Sequence, residues 1–161
     1  MGTVEFIHIA SVAGEPMRAV EQVHAVPGAG LESDRYATRK GQYSDHPGTA
    51  HDLTLIEAEI VESLTEEEGI SLDLGQTRRN VTTRGIRLND LVGRRFSVGN
   101  VLCDGVRLCE PCDYLAGLIG KPVLRPLVHR AGLRAVIVTE GEIRVGDEVS
   151  EVSIEAESRT A

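Results

Sequence analysis

The sequence predicts a mostly β fold, a β-barrel with a few peripheral helices. Short runs rich in β-branched residues recur along the chain, each closed by a turn signal. Only one stretch carries a clean helical period. No strand-helix alternation appears, and GxGxxG and P-loop patterns are absent, so a doubly wound nucleotide-binding fold is not expected.

Taken in order, residues 3–10 and 17–26 read as strands around the turn signal at Gly14 and Pro16, with Val4, Ile7, Ile9, Val20 and Val23 suiting a half-buried sheet. Residues 27–51 are rich in Gly, Pro, Asp and Ser, and a loop of that length in a compact domain points to function or mobility. Leu53, Ile56, Ile60 and Leu64 recur at helical spacing, so a helix is expected over 54–67. Thr54 and Glu57 would form its capping box and Gly69 its stop. A strand is expected over 77–84, and a short helical turn over 88–91. A hairpin of 95–98 with 101–103, turning on Gly99-Asn100, comes next. A short helix after Cys112 through Ile119, a last hairpin of 133–138 with 142–145, and a strand over 149–154 complete the reading.

The 161 residues fit a single domain, with its core over about 4–154 and a flexible tail over 155–161. Aromatic residues make up only 3 % and Trp is absent, so the core must be built from Val, Leu, Ile and Ala. A net charge of -8 disfavours a general nucleic-acid binder, whereas the Arg clusters at 78–95 and 125–134 suit a small anionic ligand. No secretory leader or membrane-length apolar run is present, and three cysteines do not make a full disulfide framework. A cytoplasmic location is expected, with no membrane and no nucleic-acid partner.

Four segments carry chemistry. The first is Cys109-Glu110-Pro111-Cys112. A zinc half-site is one reading, although zinc needs about four ligands. Dithiol exchange is another, although that motif normally opens a helix in a βαβ unit. A single reactive thiolate is the third. Pro111 suits a helix start, and the positive end of the following helix would lower the pKa of Cys112. A thiolate there would ligate a soft metal or carry sulfane sulfur. Cys103 reads as a core residue.

The second segment is Thr77 to Ile86. On a strand, Arg78, Asn80, Thr82 and Arg84 share one face, and Arg79, Val81 and Thr83 the other. Arg, Asn and Thr offer donors to a phosphate or other oxyanion, but a solvated edge strand has the same pattern. The third runs from Gly28 to Tyr36. Its glycines permit an unusual backbone path, and Asp34 and Arg35 either pair or face a ligand. The nearby His46, His51 and Asp52 match no metal-binding spacing. The fourth is His129-Arg130-Ala131-Gly132, just before a strand, where His129 has the pKa of a general acid or base or simply a structural role.

In this order the segments resemble the MOSC family, named after the C-terminal part of molybdenum-cofactor sulfurases. "IHIASVAGEPM" and "GAGLESDRYA" are similar to the family's N-terminal strands and its Gly-x-Gly-Leu-x-Gly-Asp-Arg loop, with Ser33 where Gly is usual. "LTLIEAE" resembles its first helix. "RRNVTTRGIRLNDLVGRRFSVG", the most specific stretch, resembles its Asn-hydrophobic-Thr-Thr block. "LCEPCDYL" resembles the segment with its characteristic cysteine, which falls on Cys112, and "HRAGLRAVIVTEGEIRVGDEV" resembles its closing strands. The likeness spans residues 4–149 and suggests a free-standing, bacterial-type member.

The resemblance implies a barrel with a cleft beside the cysteine. Cys112 would be its catalytic centre, as a persulfide sulfur carrier or a metal-ligating thiolate. Asp34, Arg35, Arg79, Asn80, Thr82, Thr83, His129 and Arg130 would bind the cofactor. It implies molybdenum cofactor (molybdopterin) as ligand, and either sulfur transfer or reduction of N-hydroxylated compounds as activity. Cofactor sulfurases pair such a domain with a pyridoxal-phosphate-dependent desulfurase, and this chain has no pyridoxal phosphate site of its own. A cysteine desulfurase or a molybdoenzyme is the expected protein partner. A non-catalytic domain that docks on one of these is the alternative. Whether Cys109 and Cys112 form a disulfide stays open.

Overall fold

In the computed structural model, residues 1–12, 14–34, 52–72, 74–110 and 126–152 are described. They form strands β1 (Gly2–Ile9), β2 (Arg18–Val20), β3 (Gln22–Val26), β4 (Gly30–Leu31) and β5 (Leu53–Glu57), helix α1 (Ala58–Glu68), and strands β6 (Val81–Arg84), β7 (Arg95–Val98), β8 (Val101–Leu108), β9 (Leu133–Ile137), β10 (Gly141–Arg144) and β11 (Glu148–Glu151). Short 3-10 turns span Leu74–Thr77 and Leu88–Leu91.

A sheet in the order β11-β7-β8-β9-β5-β6-β1 closes on itself through the β11–β1 pairing, which makes a barrel. Closure removes the free edges that an open sheet would expose. β5 and β6 pair in parallel, and the other ladders are antiparallel. β2 extends β1, and β10, β3 and β4 form a small second sheet.

Alternation along the strands fills the interior. Val4 and Ile7 of β1, Leu53 and Leu55 of β5, Val81 of β6 and Leu133 of β9 all belong to one buried cluster. With few aromatics, Phe96 is the largest fully buried side chain among the described residues. A second cluster joins Leu64 of α1 to Ile70, Leu127 and Ala131, so the segment before β9 packs on the helix.

Three expectations change. Residues 54–57 belong to a strand, and the helix begins only at Ala58 with no side-chain cap. Leu53 and Leu55 alternate into the core, and Thr54 hydrogen-bonds to Asn80, so sheet packing overrides the helical spacing. Gly69, at φ 67, does end the helix as expected. The strand expected from 77 starts at Val81, because Arg78 adopts φ 62 and breaks the extended path. The last expected hairpin does not form either. β9 pairs with β5 and β8, whereas β10 crosses to β3. The turn at 88–91 and the hairpin of 95–98 with 101–103 form as expected, and the second strand of that hairpin runs on to Leu108.

Candidate functional site

Outside the barrel, β1, β6 and β5 present a common face. Phe6 lies opposite Thr82 and Ile56 beside Thr82 in the ladders, and His8 and Thr54 share that side by alternation. Asn80, one step before β6, cross-links this face. Its backbone oxygen accepts from His8 N (2.7 Å) and its Nδ2 donates to His8 O (3.2 Å). Its Oδ1 accepts from Thr54 N (3.2 Å) and Thr54 Oγ1 (3.1 Å), and its own N–H donates to Thr54 Oγ1 (3.0 Å). Asn80 is fully buried, so these bonds satisfy its polar atoms and weld β1 to β5.

Arg79 is 7 % exposed. Its Nε donates to Ala131 O (2.8 Å) and its Nη2 to Cys109 O (2.9 Å). Among the described residues no carboxylate pairs with it, so its positive charge is held by carbonyl dipoles alone. The two carbonyls flank the segment that carries Cys112. Three further bonds tie the same strands of chain together. Cys109 N donates to Gly132 O (2.8 Å). The backbone N–H of His129 donates to Glu110 Oε1 (2.6 Å), and its Nδ1 lies 2.5 Å from Glu110 Oε2. Gly132 is required here, since a Cβ would lie 1.9 Å from Leu55 O and its φ is 114.

The other sequence candidates fall as follows. Thr82 is buried with its Oγ1 unpartnered, on the outer face beside Phe6. Thr83 lies opposite Val4, on the core side with Val81, and its Oγ1 lies 3.5 Å from Ile56 O. Arg84 is ion-paired with Glu5 (2.7 Å) and with Glu62 of α1, and Arg78 donates to Glu15 O. Asp34 is buried and its Oδ1 accepts from Ala10 N (3.2 Å), so it fastens the Gly-rich loop to the end of β1. Ser33 takes φ 68, the left-handed region that favours glycine. Arg130 reaches α1, through Ser63 and Glu67, rather than towards Cys109. Asp52 accepts from Gly28 N (3.2 Å) and Ile137 N (3.0 Å), a scaffolding role. Cys112, Arg35, His46 and His51, like the expected helix after Cys112 and the tail, lie outside the described residues.

Among the cysteines described, Cys103 sits in the core and burial pushes its thiol up to about 12, as befits an inert core residue. Cys109 is also buried. The arrangement thus brings Arg79, Glu110 and His129 to the base of the Cys112 segment, and sets Thr82 on a neighbouring face. Two participants were missed from the sequence. Glu110 meets His129 across 19 positions, a pairing with no local signal. His8 lies on the polar side of β1, where alternation from Phe6 places it on the face of Thr82.

The MOSC domain profile matches residues 42–150. No curated protein matches the sequence. The structure resembles the YuaD protein of Bacillus subtilis, with a TM-score of 0.76, 17 % identity, and coverage of 92 % of this chain and 94 % of that one. It also resembles YiiM from Geobacillus stearothermophilus, with a TM-score of 0.70, 17 % identity, and coverage of 95 % and 76 %. YiiM from Escherichia coli gives a TM-score of 0.65 at 16 % identity, covering 94 % and 68 %. At these identities the likeness speaks for the barrel alone, and among the described residues no helix is long and apolar enough to cross a membrane. With a profile match across most of its length, reaching six of the seven strands that close this barrel, the chain belongs to the MOSC domain family.

Proposed function

We propose that this protein binds molybdenum cofactor, or a related sulfur or metal species, beside Arg79, with Cys112 as the thiolate that carries sulfur or ligates the metal. One observation carries the reading: a guanidinium buried to 7 % exposure, without a carboxylate partner among the described residues, at the base of the cysteine segment. Buried cations are ordinarily paired, and an anionic ligand group would supply the missing charge. The donor set fits such a cofactor, which combines a phosphate with a soft metal site. When bound, that group would supply the redox or sulfur-accepting centre for sulfur transfer or for reduction of N-hydroxylated compounds.

The chain's own groups would then divide the work. Arg79 holds the anion and fixes the flanks of the cysteine segment. Thr82 offers a hydroxyl that has no partner within the protein. His129, oriented by Glu110, holds or releases a proton at the segment's edge. Asp34, Asn80 and Thr83 support this framework, Arg130 anchors α1 to it, and Arg35 is a further candidate to hold the anion. In a cytoplasmic setting the thiol of Cys112 would stay reduced. We read 4–154 as one domain because strands from both ends of that range share one core.

The test is elemental and mass analysis of protein made in a host that synthesises the cofactor. Molybdenum with its pterin, or a persulfide on Cys112, is the expected result. Preparations of intact protein with neither would overturn the reading and favour the domain that docks on a desulfurase or molybdoenzyme.

A further inference from the structure

The outer face of β1 and β6 holds two buried polar atoms with no hydrogen-bond partner, His8 Nδ1 and Thr82 Oγ1. His8 is 7 % exposed and Thr82 0 %. They are near neighbours. Thr82 is the ladder partner of Phe6, and His8, whose N–H bonds to Asn80 O, stands one pleat further along the same face. Such a diagonal pair is about 7–8 Å apart at Cα, a span that one small planar group bridges. Orphaned polar atoms in a folded interior are rare and destabilising. Their neighbours Asn80 and Thr54 are fully engaged with each other and with β1, so the same surface is saturated at one end and unsatisfied at the other.

We infer that His8 and Thr82 form an uncharged ligand subsite that takes a neutral donor-acceptor edge, of the amide or lactam kind, from the molecule whose anionic group Arg79 holds. This rests on the reading under Proposed function and adds His8 to it. Burial keeps the imidazole neutral, because its pKa is lowered from 6.5. A neutral imidazole nitrogen and a hydroxyl each donate or accept according to the partner presented. Neither carries charge, so the pair suits a heterocyclic edge and leaves the anion to the guanidinium.

The experiment combines cofactor loading with stability. Wild type, His8→Phe, Thr82→Val and Thr82→Ser are produced in a host that makes molybdenum cofactor, and molybdenum and pterin per chain are measured. The same proteins are melted in the cofactor-free form. Loading should fall about tenfold in His8→Phe and Thr82→Val, since each loses a partner for the bound edge, and persist in Thr82→Ser. Cofactor-free Thr82→Val should melt about 2–4 °C higher than wild type, because an isosteric methyl replaces an unsatisfied hydroxyl. Variants that load like wild type would overturn the inference and assign the pair to an ordered water. A lower melting point for Thr82→Val would overturn it too, by making the hydroxyl structural. An empty wild type is a separate result: it defeats the cofactor reading itself, and this subsite with it.

Discussion

Arg79 and Asn80 are adjacent, both buried, and both polar, yet the fold treats them differently. Each polar atom of Asn80 meets a protein atom within the β1–β6–β5 face. Arg79 meets two carbonyls and no counter-charge among the described residues. The difference separates two uses of buried polarity. A saturated network specifies packing, whereas an unsaturated group carries a desolvation cost that the fold leaves uncompensated. The same contrast recurs between the Asn80–Thr54 pair and the His8–Thr82 pair.

The contrast is broken most forcefully at its saturated end. Asn80→Ala strands Thr54 N and His8 O in the interior and should lower unfolding stability by about 3 kcal/mol in urea titrations. If Asn80 were instead a ligand contact, the variant would unfold like wild type and only binding would suffer. At the unsaturated end, Arg79→Lys keeps the charge but not the fork that reaches both carbonyls. Retained cofactor, measured as molybdenum per chain, should drop about tenfold, or about 1.4 kcal/mol. Equal retention would show that the guanidinium's role is only to fasten Cys109 and Ala131.

Ser33→Gly tests the frame around Asp34. Relief of the left-handed backbone at φ 68 should stabilise the protein by about 1 kcal/mol, read from the denaturation midpoint. No gain would mean that the serine side chain offsets the strain.

The smallest effect separates two histidines by sign. His24 lies between Glu140 (2.7 Å) and Glu142 (2.8 Å), and these hydrogen bonds raise its pKa above 6.5. Its contribution is therefore complete below pH 6.5 and fades as pH rises through the raised value. His8 is shifted down by burial, so its contribution is complete above pH 6.5 and fades as pH falls through the lowered value. Melting curves from pH 5 to 8.5 should show wild type losing its advantage over His24→Gln towards alkaline pH. Wild type should lose ground to His8→Phe towards acid pH. Parallel profiles would remove the electrostatic distinction between them.

Much of this was readable before the structure. The barrel followed from many short strands and tight turns, and the Asn-Val-Thr-Thr block is the stretch that pairs with both β1 and β5. At 54–57 the pattern is ambiguous, because Leu53, Ile56 and Ile60 satisfy a helical period while Leu53 and Leu55 satisfy a strand period, and only burial decides between them. Nothing local announces that Arg78 adopts φ 62 and so leaves the polar face that alternation extends to it.

Local pattern alone determined which residue types were available: an Arg-Asn pair before a strand, a cysteine segment followed far downstream by His129, a Gly-rich loop ending in Asp34. Those are properties of neighbours in the chain, set by periodicity and side-chain chemistry. Which polar groups saturate one another was decided by the closed barrel, because Asn80 needs β1 and β5 at its sides, and Glu110 needs a residue 19 positions away. Hydrogen bonding is a matter of distance and angle in space. The two atoms left without partners, on His8 and Thr82, become visible only once every other bond has been placed.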